Sequence, residues 1–272
     1  MMKNLFSVQD KIVIITGGMG QLGRQYTLTL IEQGAKVAIF DRRVDVEWIA
    51  QRFPDTPNED VLSFHAVDVT QHDSIVNALR QVNQKWGTPH VLINNAALDS
   101  PPNAPIEENG PFESYPEASF DQVMEVNVKG PMLCCQIIGE QMAAAGRGSI
   151  INIGSIYGLV SPRQEIYEYR AKNGEPFFKP VSYSISKSAL LNLTRYLATY
   201  WARQGVRVNT LSLAGVFNHQ DAQFLANYCA HMPIGRMANE DEYNGAIIFL
   251  ASGASSYMTG SNLVVDGGWT AW

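Results

Sequence analysis

The chain has 272 residues, of which 46% are hydrophobic and 17% charged, with a formal net charge of −6 at pH 7. This length fits one large domain or two small ones, and the composition provides enough apolar side chain for a sizeable core. No basic stripe stands out in this acidic sequence, which argues against nucleic acid or a membrane surface as a partner.

The chain shows no targeting, membrane or metal-binding pattern. The apolar run from Ile12 to Ile15 is too short for a signal-peptide core or a membrane span. The three cysteines, Cys134, Cys135 and Cys229, show no CxxC or Cys/His ligand spacing. We therefore predict a cytoplasmic protein without a metal site.

Short β-rich runs alternate with helix-length amphipathic stretches. The predicted strands are 12–16, 36–41, 61–66, 91–94, 149–153, 206–213 and 262–265, and the predicted helices are 22–33, 71–86, 119–145, 182–204 and 240–250. Near-continuous apolar strands separated by helices are typical of a parallel sheet covered on both faces. We predict an α/β fold with a doubly wound parallel sheet of about seven strands.

Two long segments interrupt this alternation. Residues 97–117 contain five prolines, and residues 158–180 are rich in aromatic and charged side chains. Both follow the carboxyl ends of predicted strands, where open α/β sheets bind ligands. We expect 158–180 to be a substrate-loop insert that either lines a polar pocket or packs on a neighbouring subunit. The pocket candidates are Arg163, Gln164, Tyr167, Tyr169 and Arg170.

The first predicted strand ends in a glycine turn. Gly18, Gly20 and Gly23 satisfy G-x-G-x-x-G between a strand and a helix, a context in which the backbone closely approaches a pyrophosphate at the helix N-terminus. Ordinary glycine-rich turns also match this pattern, but the strand–turn–helix context favours a Rossmann-type dinucleotide-binding domain spanning residues 1–272. The predicted cofactor contacts in this turn are Gly17, Gly18, Gly20, Gln21, Leu22 and Gly23.

Asp41 ends the second strand about 20 residues further on, as the dinucleotide fingerprint requires. A carboxylate there accepts hydrogen bonds from the adenosine-ribose hydroxyls and repels a 2′-phosphate, which favours NAD over NADP. Arg42 and Arg43 follow and could tolerate a phosphate, or could simply form a solvated turn.

Tyr183 and Lys187 stand at i and i+4 on one face of a predicted helix. A nearby ammonium would lower the tyrosine pKa from its reference value near 10 and make the phenol a workable acid/base. The same spacing also occurs by chance with a half-buried tyrosine beside a surface lysine. Ser155 follows the fifth strand, where its hydroxyl could polarise a substrate carbonyl.

Further motifs occur in a fixed order. Asp68-Val69 ends the third strand, Asn94-Asn95-Ala96-Ala97 ends the fourth, Asn127 interrupts an apolar helix, and Asp266-Gly267-Gly268 lies near the C-terminus. Together with the glycine turn and the tyrosine–lysine pair, these motifs resemble the short-chain dehydrogenase/reductase family over nearly the whole chain.

The resemblance implies four catalytic residues. Tyr183 would exchange the proton, Ser155 would hold the substrate oxygen, Lys187 would bind the nicotinamide ribose, and Asn127 would support a water-linked proton relay. The hydride chemistry itself belongs to the cofactor. The resemblance also implies a homotetramer or homodimer built on long helices. The remaining implied cofactor contacts are Asp68 and Val69 at the adenine, Asn95, Ala96 and Ala97 beside the dinucleotide, and Gly215 and Val216 on the nicotinamide side.

The sequence departs from the family pattern at four places. Gln21 replaces the middle glycine of TGxxxGxG, Ala97 replaces a glycine, and Ala214-Gly215 replaces Pro-Gly. The interval from Ser155 to Tyr183 is also about twice the usual one. The glycine spacing fits the longer sugar-nucleotide branch, but this chain has no room for the larger substrate domain of such enzymes.

The predicted function is hydride transfer between NAD(H) and a secondary alcohol or ketone of a polar, carbohydrate-like small molecule such as a sugar, polyol or sugar acid. Two alternatives are a sugar-nucleotide epimerase or dehydratase and a non-catalytic NAD-binding protein. The second would be expected to lack part of the catalytic set, which is complete in this sequence.

Overall fold

The computed structural model describes residues 4–55, 58–100, 105–172, 174 and 176–272. Seven strands in this part of the chain form one parallel sheet in the order β3-β2-β1-β4-β5-β6-β7, which confirms the predicted fold class. Their bounds are Ile12–Thr16 (β1), Lys36–Asp41 (β2), Leu62–Ala66 (β3), Val91–Asn94 (β4), Gly148–Ser155 (β5), Val206–Leu213 (β6) and Asn262–Val265 (β7).

The strand order reverses between β1 and β4, which pair in parallel from Val13 opposite Val91 to Ile15 opposite Ile93. A crevice opens outside the carboxyl ends of the strands at such a reversal, and open α/β sheets bind ligands there. The predicted bounds of β5 were too short at its carboxyl end, because the strand continues through Ser155 and stays paired with β6. Ser155 is thus held by the sheet at the edge where ligands bind.

Helices cover both faces of the sheet. The central strands are fully buried, and two apolar clusters lie on opposite sides of them, one around Ile14 and Leu92, the other around Val13 and Ile93. Alternate residues of a strand point to opposite faces, so neighbouring residues belong to different clusters. The helices are Gln21–Glu32 (α1), Val46–Arg52 (α2), His72–Trp86 (α3), Glu117–Met124 (α4), Gly130–Cys134 (α5), Glu140–Ala144 (α6), Glu168–Lys172 (α7), Val181–Trp201 (α8), Ala222–Ala230 (α9) and Asn244–Ala251 (α10).

The predicted helix 119–145 is one helical run interrupted by two π-helical segments, Glu125–Lys129 and Cys135–Gly139. Such wide turns frequently mark functional sites. The first of them carries Asn127, which is 1% exposed.

The two long segments contain short helical turns. Residues 97–117 include Ile106–Asn109 and Phe112–Ser114, while 101–104 lie outside the described residues. Residues 158–180 include the 3₁₀ turn Gln164–Tyr167 and α7, with 173 and 175 outside the described residues.

Candidate active site

The glycine turn joins β1 to α1 at the strand reversal. Gly17 adopts a φ of +64°, which is open to glycine and strained for other residues. A Cβ on Gly23 would lie 2.3 Å from the Gly17 carbonyl oxygen, so α1 approaches the turn more closely than any side chain allows. Gly18 packs on Ile39 in the same way, and a Cβ there would lie 2.8 Å from that side chain. Gly18 and Gly23 therefore allow the turn to pack closely against β2 and α1.

A cavity of about 560 Å³, the glycine-turn cavity, lies above this turn. Asp41 stands at its rim and accepts a hydrogen bond from the Met19 backbone N–H at 3.0 Å. Arg43 pairs with Asp45 at 2.9 Å and stacks on the Trp48 ring. The predicted cofactor residues that line this cavity are Gly17, Gly20, Gln21, Leu22, Asp41, Arg42, Asp68, Val69, Asn95, Ala96 and Ala97.

Asn95 fastens the carboxyl end of β4 to the glycine turn. Its side-chain amide donates to the carbonyl oxygens of Thr16 and Gly17, at 3.1 and 3.0 Å. The Thr16 hydroxyl in turn accepts the backbone N–H groups of Asn95 and Ala96, both at 3.0 Å. This exchange holds the two sides of the crevice in a fixed relation.

Asn127 anchors the chain that follows β4. Its carboxamide donates to the Leu98 carbonyl and accepts the Leu98 N–H, both at 2.7 Å, and also donates to Ser186 at 3.0 Å. Residue 127 therefore joins the loop after β4 to α8, and its side chain does not line the glycine-turn cavity.

A second cavity of about 330 Å³, the tyrosine cavity, brings three predicted catalytic side chains together: Ser155, Tyr183 and Lys187. Lys187 is 4% exposed, donates to the Ile153 carbonyl at 2.9 Å, and lies 5.6 Å from the centre of the Tyr183 ring. Gly215 and Val216 also line this cavity, and Leu22, Asn95 and Ala97 line both. The two cavities therefore adjoin at the strand reversal.

Burial governs the electrostatics of the tyrosine cavity. It raises the pKa of Tyr183, the Asp99 carboxylate raises that pKa further, and a hydrogen bond with Ser155 lowers it. Burial also lowers the pKa of Lys187 to about 8. We expected Lys187 to lower the tyrosine pKa, but burial outweighs any such effect in the structure. Tyr183 is consequently held as a neutral phenol, the form that donates a proton.

The predicted pocket residues of the 158–180 segment divide between different places. Tyr167 lines the tyrosine cavity. Gln164 accepts the Lys179 backbone N–H, and Tyr169 donates to Asp221. Arg163 pairs with Glu165 and Arg170 stacks on the Phe177 ring, and neither arginine lines the tyrosine cavity.

Sequence reasoning missed two charged residues of the tyrosine cavity, Asp99 and Lys179. They are 80 positions apart and form an ion pair at the cavity wall. It also missed that Gln21, the replacement for the middle glycine, donates to the Phe217 carbonyl at 3.0 Å. Neither contact has a local sequence signal, because its partners meet only through the fold.

The departure at Ala214 also has a structural counterpart. Its backbone N–H points at the Val265 carbonyl at 3.4 Å, a contact that proline could not make. Gly215 donates its N–H to the Tyr228 hydroxyl at 2.9 Å. These bonds hold the loop after β6 against β7 and α9.

A family model described as enoyl-(acyl carrier protein) reductase matches residues 19–270. The crystal structure of a short-chain dehydrogenase from Leptospira borgpetersenii with bound NAD+ is 32% identical, with a TM-score of 0.82 over 99% of this chain and 97% of that one. The chain belongs to the short-chain dehydrogenase/reductase family. This confirms the predicted family and the predicted enzyme class, an oxidoreductase.

Two curated relatives act on polyols. A galactitol 2-dehydrogenase from Rhizobium johnstonii is 30% identical over 98% of both chains. An NAD-dependent glycerol dehydrogenase from Listeria innocua is 28% identical over 97% of this chain and 96% of its own.

Among the described residues, no helix combines the length and apolar composition needed to cross a membrane, and no group of three His, Cys, Asp or Glu side chains could hold a metal ion.

Proposed function

We propose that the protein transfers a hydride between NAD(H) and a secondary alcohol or ketone of a sugar, polyol or sugar acid. The observation that carries this proposal is the meeting of Ser155, Tyr183 and Lys187 around one cavity that adjoins the glycine-turn cavity. The polyol dehydrogenases among its relatives support the substrate class. When bound, NAD supplies the hydride chemistry.

The glycine-turn cavity suits a dinucleotide. Its floor is a turn in which added Cβ atoms would clash, and the N-terminus of α1 faces it, which favours a pyrophosphate. Asp41 would accept the ribose hydroxyls, and the guanidinium of Arg43, two residues further on, is already paired with Asp45. We therefore favour NAD over NADP. The residues that would hold NAD are Gly17, Gly18, Gly20, Gln21, Leu22, Gly23, Asp41, Arg42, Asp68, Val69, Asn95, Ala96, Ala97, Tyr183, Lys187, Gly215 and Val216.

In the reaction, the Ser155 hydroxyl would hold the substrate oxygen and the Tyr183 hydroxyl would exchange its proton. For ketone reduction, the raised pKa of Tyr183 keeps the proton available for donation. For alcohol oxidation, the phenolate is required, so higher pH should favour that direction. Lys187 would contact the nicotinamide ribose. Asn127 would hold the loop after β4 beside a water-linked proton relay.

We further propose that residues 1–272 act as a single dinucleotide-binding domain in the cytoplasm, in which the long 158–180 insert selects the substrate. All three cysteines are free thiols, which suits a reducing compartment. We also propose a homotetramer or homodimer. Tyr196 and Tyr200 support this assembly because they stack on each other on the outer face of α8 and are 64% and 63% exposed.

The direct test is a screen of polyols, aldonic acids and sugars for NAD reduction, with NADH absorbance as the readout. We expect turnover of at least one polyhydroxylated secondary alcohol, with NAD preferred over NADP. NADH fluorescence titration is the parallel readout for binding. A purified, folded protein that binds no NADH and reduces NAD with none of these compounds would refute the proposal.

A further inference from the structure

The Asp99–Lys179 ion pair lies against the catalytic tyrosine. The Lys179 ammonium is 2.6 and 2.5 Å from the two carboxylate oxygens of Asp99 and 5.2 Å from the centre of the Tyr183 ring. Both partners line the tyrosine cavity. A cation this close to an aromatic face is in attractive contact with it. The ion pair therefore lies beside Tyr183, the residue that we assign to proton transfer.

The two partners differ in their exposure to solvent. The Lys179 side chain is 12% exposed, whereas that of Asp99 is 57% exposed. Lysine is a residue type that is rarely buried to this extent without a partner. The Lys179 ammonium is thus largely shielded from bulk solvent, whereas the Asp99 carboxylate is accessible to an incoming molecule.

Within the part of the chain that the structure describes, the Lys179 ammonium and the Asp99 carboxylate form side-chain hydrogen bonds only with each other. An ammonium has three donors, of which two go to Asp99, and a carboxylate has about four lone-pair sites, of which two accept from Lys179. With respect to the described residues, one ammonium N–H donor and two carboxylate lone-pair sites remain for a bound hydroxyl group. A single hydroxyl group matches this arrangement, since its oxygen can accept from the ammonium while its hydrogen is donated to the carboxylate. A vicinal diol can therefore place one hydroxyl on the pair and the other at Ser155 and Tyr183.

The charge balance of the cavity supports recognition of hydroxyl groups. Among the described lining residues, the charged side chains are Asp99, Lys179 and Lys187, and burial lowers the pKa of the last to about 8. The Asp99–Lys179 pair is neutral as a unit, and Arg163 and Arg170 lie elsewhere. Hydrogen bonds to charged groups are stronger than those between neutral groups, so the pair can bind a substrate hydroxyl more strongly than the neutral polar groups of this cavity can.

We propose that the Asp99–Lys179 pair is a specificity element that binds the hydroxyl on the carbon next to the reacting carbon, and so selects vicinal diols over simple alcohols. This inference rests on the proposed function. A purely structural role is the competing explanation, because the pair also joins the loop after β4 to the segment preceding α8.

The test compares two matched secondary alcohols, meso-butane-2,3-diol and butan-2-ol, by kcat/KM for NAD reduction. The proteins are the wild type, Asp99→Asn, Lys179→Met, the conservative Lys179→Arg and the control Arg163→Met. Arg163 belongs to the same segment but pairs with Glu165 and does not line the tyrosine cavity. The ratio of the two kcat/KM values is independent of the fraction of active enzyme, so a loss of folded protein does not change it.

We expect the wild type and Arg163→Met to prefer the diol by about tenfold or more, the range of hydrogen bonds to charged groups. The ratio should fall towards one in Asp99→Asn and Lys179→Met and recover in part in Lys179→Arg. The inference would be overturned if the wild type had equal kcat/KM values for the two alcohols, or if it turned over neither of them. It would also be overturned if both charge-removing variants kept the full wild-type preference for the diol. If the wild type still oxidises other polyols, the proposed function survives that result; if it oxidises none and binds no NADH, both fail.

Discussion

Asp41→Asn should relax the preference for NAD over NADP. The side chain keeps its size, and its amide oxygen can still accept the Met19 N–H that the carboxylate now accepts at 3.0 Å. The glycine turn should therefore stay in place. The substitution removes a negative charge at the rim of the glycine-turn cavity, where a 2′-phosphate would lie if NADP were bound there. It also removes the acceptor of the long hydrogen bond from the Arg43 backbone N–H, at 3.3 Å.

The expected magnitude follows from electrostatics at a partly solvated site. Two unit charges 4 Å apart interact by about 4 kcal/mol at an effective dielectric constant of 20. Asp41 is half-buried beside an open groove, and salt screens part of this repulsion. We expect about 1.5–3 kcal/mol, which corresponds to a change of about ten- to a hundredfold in the ratio of kcat/KM for NAD to kcat/KM for NADP.

The assay measures both kcat/KM values with the best substrate of the screen, at fixed ionic strength. Asp73→Asn is the matched control, since its side chain is 96% exposed on α3 and does not line the cavity. The control should keep the wild-type ratio. An unchanged ratio in Asp41→Asn would refute the role of this carboxylate in cofactor selection.

Two further variants test the glycine turn and the buried lysine. Gly23→Ala places a Cβ 2.3 Å from the Gly17 carbonyl oxygen, so NADH affinity measured by fluorescence should be lost. In the control Gly245→Ala, no atom of the described residues lies within 4 Å of the added Cβ, so the affinity should be kept. Unaltered affinity in Gly23→Ala would contradict the close approach. Burial lowers the pKa of Lys187 from 10.5 to about 8. Between these two pKa values, Lys187 has lost its proton in the folded chain but still carries it in the unfolded chain. The unfolded state therefore binds more protons, and the free energy of unfolding rises with pH. Relative to Lys187→Met, the wild-type free energy of unfolding in urea should therefore rise by about 2 kcal/mol from pH 8 to pH 10 without added cofactor; a difference that stays level or falls would contradict the burial argument.

The sheet was predictable because its signals are local. Each central strand is a short apolar run between turn residues, and burial on both faces leaves no polar alternation to confuse it with a surface strand. The helices α2 and α9 were missed, although each begins after an aspartate that accepts a backbone N–H, Asp45 and Asp221. These caps were the available signal, but helices of seven and nine residues carry too little periodicity to stand out.

The positions of Tyr183 and Lys187 on one helical face were likewise predictable from their spacing alone. Their electrostatics were not, because the pKa of Tyr183 depends on burial and on Asp99, which arrives from the loop after β4. The same holds for Lys179, whose place beside the tyrosine follows from the path of the 158–180 segment. Long-range contacts of this kind carry no pattern that a single sequence reveals.

The most direct test of the central claim is a comparison of Tyr183→Phe with the wild type. The variant removes the one hydroxyl that we assign to proton transfer and keeps the ring beside Lys179 and Lys187. We predict that NADH fluorescence will show binding close to that of the wild type, while turnover falls by at least about a hundredfold. Turnover equal to that of the wild type would contradict the account.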